Sequence, residues 1–109
     1  WKGRIDYVIN SGGIKIFPEE LEKALSFLTR RFFFAGMPDE RFGERVCLFI
    51  EGEAYSDERM IVLHDQLNRA LDKYSRPRDI YFIPSFQETG SGKINRMANR
   101  EIVLSNLRR

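Results

Sequence analysis

Two apolar runs, Phe32-Phe33-Phe34-Ala35-Gly36-Met37 and Arg45-Val46-Cys47-Leu48-Phe49-Ile50, flank the polar stretch Pro38-Asp39-Glu40-Arg41-Phe42-Gly43. Each run is too short for a buried helix and lacks polar alternation, the pattern of strands covered on both faces. The tight connection over positions 38 to 44 favours an antiparallel pair. Ile80-Tyr81-Phe82-Ile83 supplies a third core strand.

Before this core, Arg4-Ile5-Asp6-Tyr7-Val8-Ile9 alternates, Ser11-Gly12-Gly13 breaks it and Ile14-Lys15-Ile16 resumes, which predicts two strands around a glycine turn. Pro18 suits a first helical position, Glu19 and Glu20 suit the positive end of the dipole, and Leu21, Ala24, Leu25 and Leu28 recur at helical spacing. A helix over about 18–29 is expected. Ser56 or Asp57 can cap a second helix with apolar positions Met60, Leu63, Leu67, Ala70, Leu71 and Tyr74, stopped by Pro77. A third helix is expected over about 95–107. The fold class is α+β: a hairpin followed by a central sheet of about three strands packed by about three helices.

The 109 residues, 42% apolar and 31% charged, suit one compact domain: an N-terminal hairpin segment over 1–16 and an α+β body over 17–109. Eighteen basic against sixteen acidic residues leave a net charge of only +2, so nucleic acid is not the expected partner. One cysteine, Cys47, and one histidine, His64, are too few for a disulfide or a zinc cluster, and no metal site is expected. Cys47 reads as a small buried filler and His64 as a surface or packing residue. No stretch approaches the roughly 18 apolar residues of a membrane span, so no span and a cytoplasmic location are expected. Strand-like sequence follows Trp1 at once, which suggests a piece of a longer polypeptide.

Thr89-Gly90-Ser91-Gly92-Lys93 invites a phosphate-loop reading, but that pattern needs glycine at 87 and Ser or Thr at 94, where this chain has Gln87 and Ile94. What remains is a lysine at the tip of a flexible small-residue loop, placed to reach another domain's active site or else simply solvated.

Gly3-Arg4-Ile5-Asp6, the strand pair around Gly12-Gly13, Gly36-Met37-Pro38-Asp39-Glu40-Arg41-Phe42-Gly43-Glu44 and Thr89-Gly90-Ser91-Gly92-Lys93-Ile94-Asn95-Arg96 stand in the order of the motifs of one known family. Over nearly its full length the chain resembles the C-terminal domain of the adenylate-forming enzymes, which include acyl-CoA synthetases and peptide-synthetase adenylation domains. The compact connection before position 57 resembles o-succinylbenzoate–CoA ligases and related short enzymes. Tyr7 departs from the family, standing where a second acidic residue is common.

The resemblance implies the mobile lid of an ATP-dependent carboxylic acid–CoA ligase. Lys93 matches the catalytic lysine of acyl-adenylate formation, and Asp6 matches the hinge. Gly12 and Gly13 match the turn lining the pantetheine tunnel after the lid rotates, Arg4 an arginine near the nucleotide, and Lys15 a basic residue near phosphates. The partner implied is an N-terminal adenylation domain of the same chain. ATP, CoA and Mg2+ would serve the whole enzyme, none held tightly by this portion, and the isolated domain would be inactive. The competing readings are a non-catalytic protein-interaction module of the same α+β fold and a small RNA-binding domain, the latter resting on Arg30-Arg31 and Arg108-Arg109.

Overall fold

The computed structural model describes residues 7–107, so Arg4, the hinge position Asp6 and Arg108-Arg109 lie outside the described residues. Among the described residues five strands form one sheet: β1 (Ile9–Ser11), β2 (Ile14–Ile16), β3 (Phe32–Asp39), β4 (Gly43–Glu51) and β5 (Asp79–Ile83). Three helices pack on it: α1 (Pro18–Lys23), α2 (Asp57–Ala70) and α3 (Arg96–Leu107). The α+β class is as read from the sequence, and the hairpin is the outer part of the central sheet. Among the described residues its ladder begins at Ile9, and the start of the alternating run, Arg4 to Asp6, lies outside them.

β4 organises the sheet. β3 runs antiparallel along one edge, from Phe32 opposite Ile50 to Asp39 opposite Gly43. On the other edge β1 meets the start of β4 at Gly43, and β5 runs parallel to its second half, Cys47 opposite Asp79 through Glu51 opposite Ile83. A parallel neighbour needs a crossover, and α2 is that crossover.

The unbroken apolar runs follow from this central position. Val46, Leu48 and Ile50 join Phe34, Leu25, Leu63 and Leu67 in one core, under α1 and α2. The alternate residues Cys47 and Phe49 join Phe33, Met37, Ile83, Phe86 and Val103 in a second core, under α3. The rings of Phe33 and Phe49 stack at 4.7 Å, so these aromatics fill the interior. Cys47 is buried, and burial is the largest cause that pushes its thiol up to about 12, which leaves it inert at neutral pH. His64 is exposed on α2.

Two helices are shorter than their periodicity predicts. α1 ends at Lys23 and gives way to tight turns closed by Leu25 N–H to Glu22 O and Leu28 N–H to Leu25 O, because the chain must bend into β3 within a few residues. α2 starts as expected, with the Ser56 hydroxyl accepting from the Arg59 amide, but ends at Ala70 and not near Tyr74. Asp72 Oδ1 accepts from the amides of Tyr74 and Ser75, a local turn that competes with helix. The Arg76 guanidinium takes the open carbonyls of Leu71 and Asn68 at 3.1 and 2.9 Å. Tyr74, expected among the apolar positions of this helix, therefore lies beyond its end and is 58% exposed.

Candidate functional site

The lysine loop is a hydrogen-bonded hairpin. Glu88 bridges Ile94, the Thr89 amide donates to the Lys93 carbonyl at 2.7 Å, and the Gly92 amide donates to the Thr89 carbonyl at 3.0 Å. That is a three-residue hairpin turn whose last position requires positive φ, and Gly92 supplies it at 84°. Lys93 is the first residue after the turn and not its tip. It is exposed, and its ammonium has no hydrogen-bond or ion-pair partner among the described residues.

Two anchors hold this hairpin. On the strand side the Phe86 amide donates to Glu51 at 2.8 Å, while Arg31 donates twice to Glu51 and once to Glu88. On the helix side Asn95 caps α3, accepting from the Ala98 amide at 3.1 Å, and Arg96 grips Glu22 with two bonds of 2.6 and 2.7 Å. Glu22 also accepts from the Phe34 amide, which ties the start of α3 to α1 and β3 together. Burial opposes the charge of Arg96, but its bonds to Glu22 outweigh this and raise its pKa.

The hydrogen bonds from Arg31, followed by that from Phe86, pull the Glu51 carboxyl from the ordinary 4.5 down to about 2. A depressed acid stabilises the fold above its unfolded pKa and loses that contribution as pH falls. Between pH 4.5 and 2 the chain is therefore expected to lose stability, and Glu51→Gln is expected to flatten this slope. Urea midpoints at several acidic pH values check it; equal slopes in the two proteins contradict it.

The glycine turn lies elsewhere. Gly12 and Gly13 have φ of 59° and 86°, the two positive values of a two-residue hairpin turn. The Gly12 amide donates to the Phe42 carbonyl, and a Cβ on Gly12 would press the Phe42 ring at 3.1 Å. Beside Gly13 the space is open. Lys15 is exposed on β2, opposite Asn10.

Gly12, Phe42 and Ile14 line a groove of about 510 Å³, whose other wall is Lys73, Tyr74, Arg76 and Arg78. The Arg78 guanidinium lies 4.8 Å from the centre of the Phe42 ring. These cations are functional candidates that the sequence reading missed. Lys73-Tyr74-Ser75-Arg76-Pro77-Arg78 was legible as basic, but its pairing with the glycine turn is a product of folding.

The structure thus brings Gly12 together with a cationic groove at the Gly43 end of β4, and holds the Lys93 hairpin at the Glu51 end. A nine-residue strand separates its ends by roughly 25 Å at about 3.3 Å per residue. Arg4 and Asp6 lie outside the described residues, so their places relative to either end are not described. Among the described residues no group of three or more His, Cys, Asp or Glu gathers at a metal-binding distance, and no helix is long and apolar enough to cross a membrane.

The sheet, its two anchored turns and the similarities below agree: the chain belongs to the adenylate-forming acyl-CoA ligase family and corresponds to the C-terminal portion of such enzymes. It is 37% identical over 95 residues to the 2-succinylbenzoate–CoA ligase of Enterococcus faecalis, covering 84% of this chain and 19% of that protein. It is 38% identical over 96 residues to the 3-oxocholest-4-en-26-oate–CoA ligase of Rhodococcus rhodochrous, covering 84% of this chain and 17% of that one. A solved acyl-CoA synthetase-like protein from Dyadobacter fermentans superposes with a TM-score of 0.83 at 30% identity, covering 94% of this chain and 31% of the other. No family model matches the chain. The chain spans about a fifth of the length of the curated relatives it matches. Two relatives named for different acids are equally similar, so similarity does not select the acid.

Proposed function

We propose that this chain is the single, mobile C-terminal lid of an ATP-dependent carboxylic acid–CoA ligase. Lys93 supplies the cation for acyl-adenylate formation, and the Gly12-Gly13 turn lines the path of the CoA pantetheine arm once the lid has rotated. The observation that supports this most is the placement of a lysine with no partner among the described residues and of a cationic groove at opposite ends of β4. One active site cannot receive both ends at once across roughly 25 Å, so two half-reactions require the lid to turn.

At the first station the Lys93 ammonium meets oxygens of the carboxylate and the α-phosphate as negative charge gathers there. A preorganised cation lowers that barrier, because it needs no reorientation when the charge develops. At the second station the absence of a side chain at Gly13 leaves room for a thin chain. Lys73, Arg76 and Arg78 fit the phosphate-bearing end of CoA, and Tyr74 and Phe42 offer ring faces beside them. Asp6 serves as the hinge, Arg4 as a nucleotide contact and Lys15 as a phosphate contact. The remainder of the enzyme supplies the acid pocket and the magnesium ligands, and this portion alone is inactive.

The test is acid-dependent pyrophosphate release by the intact protein against a panel of aromatic, short-chain and long-chain carboxylic acids, followed by thioester formation with CoA. Absence of pyrophosphate release with every acid overturns the ligase reading. For the groove, Lys73→Ala with Arg78→Ala is expected to raise KM for CoA about tenfold, two exposed charge contacts at up to ~1 kcal/mol each. Adenylation is expected to be unchanged. An unchanged KM for CoA removes the groove from the proposal.

A further inference from the structure

We infer that Asn99 is a positioning residue for adenylate formation, because its buried side chain pins together the entry and exit of the hairpin that presents Lys93; this rests on the role proposed for Lys93. Asn99 is fully buried on α3, the only buried polar residue among the described residues. Its Oδ1 accepts from the Gln87 amide at 2.9 Å, while its Nδ2 donates to the carbonyls of Gln87 at 3.1 Å and Asn95 at 2.8 Å. Gln87 is where the chain enters the hairpin and Asn95 is where it leaves. The Asn95 amide closes the loop by donating to the Gln87 carbonyl at 2.9 Å.

An amide in an apolar core costs stability unless it is satisfied, a cost that a leucine on this helix, which places Val103 and Leu104 in the second core, would not carry. The side chain instead acts as a local peptide group, offering Gln87 the donor and acceptor that a neighbouring strand would offer. The hairpin between is internally bonded from Thr89 to Lys93, so it moves as one piece about its two ends. With both ends tied to Asn99, the direction in which Lys93 leaves α3 is fixed. Catalytic placement is sensitive to this, since a displacement of about 1 Å can cost 10²-fold in rate.

In the intact ligase, Asn99→Leu is expected to lower kcat for acyl-adenylate formation on the order of 10- to 100-fold. KM for ATP and for the acid should hardly move, and thioester formation from supplied acyl-adenylate should persist. In the 109-residue chain, amide exchange at Gln87 and Asn95 should quicken on the order of tenfold, with the amides of α2 unaffected. Asn99→Ala replaces the leucine variant if that one does not fold. Lys93→Ala runs alongside. If it spares adenylate formation, the reading of Lys93 fails and this inference falls with it. If it is selectively impaired while the Asn99 variant keeps its kcat, or loses both half-reactions equally, Asn99 has no positioning role and the reading of Lys93 stands.

Discussion

Lys93→Ala in the intact ligase is expected to slow acyl-adenylate formation about 10²- to 10³-fold, the typical cost of removing one preorganised charge-stabilising donor. Thioester formation from supplied acyl-adenylate is expected to proceed at the parent rate, because under the proposed function the opposite end of β4 faces the chemistry in that half-reaction. The fold should be indifferent to the change: the side chain is exposed and makes no hydrogen bond or ion pair among the described residues. The hairpin is closed by main-chain bonds of Thr89, Gly92 and Lys93 that alanine retains. Pyrophosphate release and single-turnover thioester formation, measured on one preparation, check the prediction. Equal loss in both half-reactions sinks the role assigned to Lys93.

Phe49→Ala is expected to remove about 3–5 kcal/mol of stability, from the ~5–15 kcal/mol typical of a domain. The ring is fully buried on β4, stacked on Phe33 at 4.7 Å with an interplanar angle of 2° and tilted against Tyr81 at 5.4 Å. Alanine leaves a hole between β3, β5 and α3 that strands bonded on both edges cannot close. Urea unfolding of the 109-residue chain reads the loss; a drop below about 1 kcal/mol contradicts this account of the second core.

How far the sequence carried the fold can be seen at β4. A strand flanked by strands and covered on both faces shows as an unbroken apolar run, and Val46 to Ile50 showed it. The ends of α1 and α2 were not legible, because they are decided by bonds that periodicity does not encode. Asp72 turns back on its own chain, and Arg76 caps carbonyls as far back as Asn68. Lys93 was legible through its motif, whereas the order of its loop was not: a run of Gly and Ser reads as slack until Gly92 is seen to be the residue that closes a turn. Asn99 had only a weak trace, an asparagine four residues after another within a helix, which ordinarily signals a solvated face. The groove showed only as a basic stretch, and its pairing with the glycine turn had no trace, since its walls come from Ser11-Gly12 and Lys73-Arg78, far apart along the chain.

The shared strand has a consequence for timing. Both turns are fastened to one element that is hydrogen-bonded on two edges and packed on two faces, so neither can drift without dragging the other. Under the proposed function β4 behaves as a rigid beam with a tool at each end. Withdrawing the lysine and delivering the thiol channel are then a single displacement, and the enzyme needs no separate signal to keep its two chemistries from overlapping.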